Sequence, residues 1–240
     1  MGGVVREHEI YFAVLSEQAE RYDEMAEHMQ SVSRFPQELD ALERNLLAVA
    51  YKQAVGQRRA SWRIVSNMES QEQERGNART TACAKGYRKK IELELKTLCD
   101  QILKLLTETL IPRSTNADAK VTFYKAQGDY HRYIAEISDD IDKTRATNSA
   151  KQAYEDGTKI AEVNLPVTSP FRLGLALNHA VFYYEVMRSP TDAVRIGRKA
   201  FEDAVREIDN LGEENAKESA LIMQLLRDNL TIWTSDPVGG

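Results

Sequence analysis

Cysteine, glycine and proline are scarce in this chain, and long apolar runs are missing. Its 240 residues include two cysteines, Cys83 and Cys99, which excludes a disulfide framework and favours reduced thiols in the cytosol. No apolar run reaches the about 20 residues that span a membrane, and the N-terminus lacks a secretory signal pattern. The formal net charge of −5 argues against a general nucleic-acid binder. We therefore expect a cytoplasmic protein that binds neither membrane nor nucleic acid.

The 12 glycines and 6 prolines are placed as in an all-α protein. The prolines fall between stretches of helical periodicity or near the C-terminus: Pro36, Pro112, Pro166, Pro170, Pro190 and Pro237. Because proline interrupts a helix interior, this placement leaves the periodic stretches free to be helices. The pattern predicts one all-α domain over residues 1–233 and a flexible C-terminal tail over residues 234–240.

Nine stretches have helical signals, most of them apolar residues at helical spacing and, for the eighth, a start at Ser189-Pro190. They predict helices over residues 4–18, 21–35, 40–68, 88–111, 116–138, 140–163, from 169 onward, 189–210 and 217–233. Asp40 and Glu43 predict a capping box at the start of the third helix. Residues 69–81 are polar without periodicity, so we predict a solvated loop there.

The motifs of known catalytic and metal sites are absent from the sequence. The four histidines form no His-Glu-x-x-His pair, and the two cysteines do not stand at metal-ligand spacing. The glycines form neither a phosphate-binding loop nor a dinucleotide fingerprint, and no serine or cysteine sits in a recognisable nucleophile motif. We therefore expect no enzymatic activity, no cofactor and no metal. His179, within an apolar helix, is expected to be a hydrogen-bonded core residue.

A cationic stripe runs along the predicted third helix. Lys52, Arg59 and Arg63 follow one another at i, i+7 and i+11, which places them within about 20° of one line. Apolar residues surround that line: Leu46, Leu47, Ala50, Tyr51, Ala54, Val55, Trp62 and Val65. Any single cation of this kind is more often a surface residue or a partner for a carboxylate. A binding site therefore needs a second element with matching charge.

The predicted fifth helix supplies such an element. Lys125, Arg132 and Glu136 repeat the i, i+7 and i+11 spacing, and Tyr133 lies beside them. Lysine, arginine and a tyrosine hydroxyl suit an anion, and a carboxylate orients a guanidinium. Alone, this face could equally be a structural row of ion pairs. Two such faces in one chain favour an anion-binding site.

Four stretches together resemble the 14-3-3 family of phosphopeptide-binding adaptors. They are Arg44-Asn-Leu-Leu-Ala-Val-Ala-Tyr-Lys52, Gly56-Gln-Arg-Arg-Ala-Ser-Trp-Arg63, Arg172-Leu-Gly-Leu-Ala-Leu-Asn178 and Leu221-Ile-Met-Gln-Leu-Leu-Arg-Asp-Asn-Leu-Thr-Ile-Trp233. The resemblance implies nine antiparallel helices per protomer, in a cup-shaped homodimer with an amphipathic ligand groove in each subunit.

The resemblance also implies roles for particular residues. The implied phosphate-binding residues are Lys52, Arg59, Arg132 and Tyr133, supported by Arg63 and Glu136. The implied peptide-binding residues are Lys125, Leu177, Asn178, Val181, Glu185, Leu221, Ile222, Leu225, Asn229 and Trp233. The implied dimer-interface residues are Leu15, Ser16, Ala19, Arg21, Tyr22, Glu24, Ser61, Tyr87, Lys90 and Glu94. Gln127, His131 and His179 depart from the usual Lys, Tyr and Phe of the family.

The function implied is a phosphoserine- or phosphothreonine-dependent adaptor that regulates signalling by sequestering, scaffolding or masking client proteins. Its implied partners are phosphorylated proteins and a second subunit, in a homodimer or in a heterodimer with a paralogue. The implied location is the cytoplasm, with the nucleus as a further compartment. The alternative is a tetratricopeptide-like helical scaffold that binds unphosphorylated acidic or C-terminal peptides.

Overall fold

The computed structural model of the chain describes residues 2–207 and 213–235. Within those ranges all regular secondary structure is helical, with nine helical segments and no strand, as the sequence predicts. The chain divides into two compact units, Met1–Arg113 and Ser114–Gly240. None of the described helices is both long and apolar enough to cross a membrane.

The N-terminal unit consists of four helices. They are α1 (Gly2–Gln18), α2 (Tyr22–Ser33), α3 (Ala41–Glu74) and α4 (Ala78–Leu105). A π-helical turn, Leu106–Leu110, extends α4 into a last turn, Ile111–Arg113. The core face of α3 is formed by six of the predicted apolar residues: Leu46, Leu47, Ala50, Tyr51, Ala54 and Val55.

The predicted capping box starts α3. The Glu43 backbone N–H donates to Asp40 Oδ1 at 2.9 Å, and the Asp40 N–H donates to Glu43 Oε2 at 3.0 Å. The buried Glu43 carboxylate also accepts from Arg6 Nη2 at 2.7 Å. This start of α3 therefore also fixes α1, because the same carboxylate serves both helices.

The prediction of a solvated loop over residues 69–81 is wrong. Helix α3 continues to Glu74 and α4 begins at Ala78, so only residues 75–77 connect them. Gly76, with φ of 73°, makes the turn. The Glu72 carboxylate ties the two helix ends together by accepting from Asn77 Nδ2 at 2.8 Å and Thr80 Oγ1 at 2.6 Å. Exposed helix ends need no apolar periodicity when local side-chain pairs of this kind stabilise them.

The C-terminal unit consists of five helices. They are α5 (Ala117–Ile137), α6 (Asp140–Asn164), α7 (Pro170–Glu185), α8 (Pro190–Glu207) and α9 (Glu213–Ser235). Asn210, the predicted end of the eighth helix, lies outside the described residues. Helix α9 ends at Ser235, two residues further than predicted, and residues 236–240 of the predicted tail lie outside the described part.

Helices α5, α6 and α7 share one core. Tyr154 of α6 is fully buried in it, with Val121 of α5 and Phe182 of α7. Gly128 allows α5 to approach this tyrosine, because a Cβ at residue 128 would lie 2.6 Å from Tyr154 Cε1. The absence of a side chain at Gly128 thus brings the Tyr154 hydroxyl up to the neighbouring residue of α5, Asp129.

Helix α9 packs on α7 and α8 and leaves part of its apolar surface exposed. Met223 and Leu226 are buried with Leu173 of α7. In contrast, Leu221 and Leu225 are 65% and 46% exposed. The apolar surface of α9 is therefore divided between a buried face and an exposed one.

Candidate functional site

The predicted cationic stripe lies on α3. Lys52 and Arg63 are exposed, and Arg59 is half-buried. The guanidinium of the adjacent Arg58 donates to both carboxylate oxygens of Asp23, at 2.9 and 2.7 Å. Glu94 Oε2 lies 3.6 Å from the same guanidinium. Arg58 is thus part of an ion-pair network inside the N-terminal unit, and it offers a comparison for its neighbour in sequence.

Side chains of the predicted face of α5 meet at Asp129, a residue that no sequence pattern singles out. Its buried carboxylate accepts from Tyr154 Oη at 2.6 Å and from Lys125 Nζ at 2.9 Å. Arg132 Nη2 lies 3.4 Å from Asp129 Oδ1. Burial alone would raise the pKa of Asp129, but Lys125 and Arg132 outweigh it and hold that pKa below its ordinary value. The carboxylate therefore stays charged between two cations.

Arg132 is held in place on several sides. Its side chain is only 12% exposed, and its guanidinium carbon lies 4.8 Å from the centre of the Tyr133 ring. Glu185 Oε2 lies 3.6 Å from Nη1. Burial would lower the pKa of Arg132, but Tyr154 and Asp129 raise it above its ordinary value. The guanidinium therefore stays charged although it is mostly withdrawn from water.

Asn178 of α7 joins the same carboxylate. Its Nδ2 donates to both oxygens of Asp129 at 2.9 Å. The structure thus brings three predicted site residues together at Asp129, namely Lys125, Arg132 and Asn178. Glu185 joins them through Arg132. Sequence spacing could have revealed part of this arrangement, since Asp129 stands at i+4 from Lys125 and at i−3 from Arg132. Nothing in the sequence pairs Asp129 with Tyr154 or Asn178.

The apolar members of the implied peptide-binding set lie on α7 and α9. Leu177 and Ile222 pack on one buried cluster, and Val181 packs on another that contains Trp233. Trp233 itself is buried and stacks on Tyr184, with ring centres 5.1 Å apart. Asn229 is half-buried on α9. Tyr133 and Glu136 are half-buried on α5, and so is His131.

His179 is a core residue, as predicted, but its hydrogen bonding is incomplete. The imidazole stacks on Tyr154 with ring centres 5.3 Å apart, and Nδ1 lies 3.4 Å from Thr158 Oγ1. Nε2 is buried without a hydrogen-bond partner among the described residues. Burial lowers the pKa of His179 to about 4, with smaller contributions from Arg195 and Lys151. The ring is therefore neutral at physiological pH.

His179 is expected to make the protein less stable in acid. An unfolded histidine has a pKa near 6.5, so protons bind the unfolded chain first as the pH falls. The contribution of the neutral His179 ring to the free energy of unfolding is complete above that pKa. It is lost as the pH falls towards about 4, where the free energy of unfolding has decreased by up to about 3 kcal/mol. The measurement is urea unfolding at a series of pH values, for the wild type and for His179→Phe, which keeps an aromatic ring without a titrating group.

His179→Phe is expected to flatten the fall in unfolding free energy between pH 6.5 and 4.5. Carboxylates that titrate in the same range are common to both proteins, so they cancel in the comparison. Parallel pH profiles for the two proteins would contradict the assignment of a neutral buried imidazole.

The predicted dimer-interface residues all lie in the N-terminal unit. Tyr87 and Leu15 are 57% and 44% exposed, whereas Ser16 is buried within the protomer. Arg21, the residue before α2, forms an ion pair with Glu24, which lies three residues further along the chain. The Ser61 hydroxyl donates to the Gln57 carbonyl at 3.0 Å. The remaining members are exposed or half-buried: Ala19, Tyr22, Lys90 and Glu94.

The sequence of the chain is similar to those of known proteins of one family. The family model described as "14-3-3 protein" matches residues 12–234. The chain is 52% identical over 235 residues to "14-3-3 protein 2" of Solanum lycopersicum, covering 97% of this chain and 92% of the relative. It is 53% identical to "14-3-3 protein I" of Plasmodium falciparum (isolate 3D7), covering 95% and 89%. It is 52% identical to "Protein BMH2" of Saccharomyces cerevisiae (strain ATCC 204508 / S288c), covering 96% and 85%. The chain belongs to the 14-3-3 protein family, whose members are adaptors and not enzymes.

Proposed function

We propose that this chain binds phosphoserine or phosphothreonine segments of client proteins and regulates those clients by sequestering, scaffolding or masking them. Membership of the 14-3-3 family supports a phosphopeptide-binding adaptor role in general. The residues that we assign to the phosphate are Lys52, Arg59, Arg132 and Tyr133. The assignment of Lys52 and Arg59 rests on the family likeness and on their charge, as does a supporting role for Arg63 and Glu136.

The observation that carries the proposal is the state of Arg132. Its guanidinium is charged, mostly buried, and held by Asp129, Tyr133 and Glu185. A phosphate carries a charge of about −1.5 to −2 near neutral pH and offers three strong acceptors. A planar guanidinium can donate two parallel hydrogen bonds to such a group. A guanidinium that is already fixed loses little side-chain entropy on binding, which favours affinity.

The main chain and flanking side chains of the ligand have proposed partners in the same unit. Asn178 and Asn229 are suited to the peptide main chain, because an amide both donates and accepts. The proposed contacts for the flanking side chains are six apolar residues and two charged ones. The apolar residues are Leu177, Val181, Leu221, Ile222, Leu225 and Trp233, and the charged residues are Lys125 and Glu185. The exposure of Leu221 and Leu225 supports this assignment, since apolar side chains gain free energy when a ligand covers them.

A phosphorylated peptide is expected to bind at least about tenfold more tightly than its unmodified form, because one charge-assisted hydrogen bond alone contributes roughly 1.5–3 kcal/mol. The measurement is fluorescence anisotropy with a matched pair of serine and phosphoserine peptides. Dissociation constants near the micromolar range are expected for the phosphorylated form. Equal affinity for the two forms would overturn the proposal. Tight binding of unphosphorylated acidic or C-terminal peptides would instead support the scaffold alternative.

We also propose that the protein acts in the cytoplasm as a homodimer. Exposed apolar side chains on α1 and α4 support association: Tyr11, Phe12, Leu15, Tyr87 and Leu93. Exposed ion pairs contribute only about 0–1 kcal/mol each, so burial of these apolar side chains has to provide most of the association free energy. The charged residues Arg21, Glu24, Lys90 and Glu94 would set the register of the two subunits.

A further inference from the structure

Asp129 has an unexpected position for a residue of an anion-binding site. Its charged carboxylate lies within 3.4 Å of Arg132, the guanidinium that we assign to the phosphate. A negative charge so close to a bound phosphate opposes binding by repulsion, and burying it has a further cost. A residue with only these effects would weaken the site. The contacts of Asp129 therefore have to supply something that offsets them.

Those contacts fix three residues of the proposed site at once. Lys125, Arg132 and Asn178 all direct donor atoms at the carboxylate, and Tyr154 completes its shell from the core side. The first two residues are on α5 and the third is on α7, so Asp129 also links two helices. Long cationic side chains otherwise sample many rotamers, which a ligand would have to freeze on binding. The shared carboxylate reduces that cost before a ligand arrives.

Asp129 also decides which way the Asn178 amide faces. A charged carboxylate can only accept hydrogen bonds, so the amide nitrogen of Asn178 must face it. Nδ2 lies 2.9 Å from both carboxylate oxygens, which turns the amide carbonyl away from Asp129. The outward group is then a hydrogen-bond acceptor, and it suits the N–H of a peptide main chain. With a neutral amide at residue 129, both orientations of Asn178 would be available.

We propose that Asp129 is a positioning residue of the phosphopeptide site, which holds Lys125 and Arg132 and presents the Asn178 carbonyl to a main-chain N–H of the ligand. The inference rests on the proposed function. It implies that the ligand must have a free N–H at the residue that meets Asn178. A proline there, or an N-methylated residue, lacks this donor and is excluded.

The variant that tests this inference is Asp129→Asn, which keeps the shape of the side chain and removes its charge. We expect about 10- to 100-fold weaker binding of a singly phosphorylated peptide. If charge were the only effect, Asp129→Asn would bind the phosphorylated peptide more tightly, because a negative charge that repels the phosphate is removed. Stronger or unchanged binding by Asp129→Asn, with the wild type binding normally, would overturn the positioning role and leave the proposed function intact. A wild type that does not discriminate the phosphate would overturn the proposed function itself.

A second readout isolates the Asn178 amide. A set of peptides, each N-methylated at one backbone position, is titrated against the wild type, Asn178→Ala and Asp129→Asn. One position is expected to be sensitive to methylation in the wild type and insensitive in both variants. A position that stays equally sensitive in Asp129→Asn would contradict control of the amide by Asp129. Destabilisation of the fold alone would not change the response to methylation at one position.

Controls separate positioning from folding. Asp156→Asn makes the same change in a surface pair of α6, where Asp156 lies 3.0 Å from Lys159, and it should leave binding unchanged. If Asp129→Asn does not fold, NMR of the Asn178 side-chain amide in the unliganded wild type shows whether Asp129 orders this amide before a ligand binds. Two well-separated amide protons, one shifted by a carboxylate hydrogen bond, are expected before peptide is added. Averaged signals that become separate only with peptide would show that the ligand, and not Asp129, orders the amide.

Discussion

Lys52→Glu and Arg59→Ala are each expected to weaken binding of a singly phosphorylated peptide by at least about 100-fold. An arginine paired with phosphate donates two charge-assisted hydrogen bonds of roughly 1.5–3 kcal/mol each, and part of that sum is offset by ordering. Reversing the charge at Lys52 replaces an attraction by a repulsion of similar size. Anisotropy titrations give the affinities, and circular dichroism checks that helical content is unchanged.

The matched control is Arg58→Ala on the same helix. Arg58 is adjacent to Arg59 in sequence, and its guanidinium pairs with Asp23 and Glu94 within the N-terminal unit. Its loss is therefore expected to lower the stability slightly, since a surface pair contributes about 0–1 kcal/mol. The affinity for a singly phosphorylated peptide is expected to stay within about threefold of the wild type. Unfolding of Arg59→Ala, or equal losses of affinity for Arg58→Ala and Arg59→Ala, would indicate a structural role for the cations of α3.

The sequence predicted the helices well where local signals are strong. The capping box at Asp40 and the apolar set from Leu46 to Val55 both depend on residues a few positions apart, and both are present in the structure. The error at residues 69–81 has a physical reason. Apolar periodicity reports burial, whereas the adjoining ends of α3 and α4 are stabilised by exposed polar pairs, such as those of Glu72 with Asn77 and Thr80.

The contacts around Asp129 were only partly predictable from the sequence. Spacing identified Lys125 and Arg132 as neighbours, but it gave no role to the aspartate between them. That role depends on Tyr154, 25 residues away, and on Asn178, 49 residues away. Such contacts are set by the packing of α5, α6 and α7, including the close approach at Gly128. Periodicity within one helix carries no information on them.

A peptide with two phosphorylated sites is expected to bind about 10²- to 10⁴-fold more tightly than either site alone, provided that its linker can reach both grooves of a dimer. The second binding event is then intramolecular, so the gain needs no new contact with the protein. Ser61→Glu is expected to remove both the dimer and this gain. Ser61 is exposed on α3 and belongs to the proposed interface, where by two-fold symmetry one substitution introduces two charges. Sedimentation gives the assembly state, and titration with singly and doubly phosphorylated peptides gives the gain.

Thr144→Glu is the control for the added charge. Thr144 is also exposed on a helix, and its hydroxyl donates to a carbonyl four residues back, at 3.0 Å, as Ser61 does to Gln57. It lies on α6, outside the proposed interface, so its variant should sediment as the wild type and keep the gain from the second phosphate. The affinity for a singly phosphorylated peptide should be the same for the wild type, Ser61→Glu and Thr144→Glu, because neither substituted residue is assigned to the peptide site. A wild type that is monomeric at micromolar concentration, or that gains nothing from the second phosphate, would contradict the dimer and leave the single-site adaptor role standing.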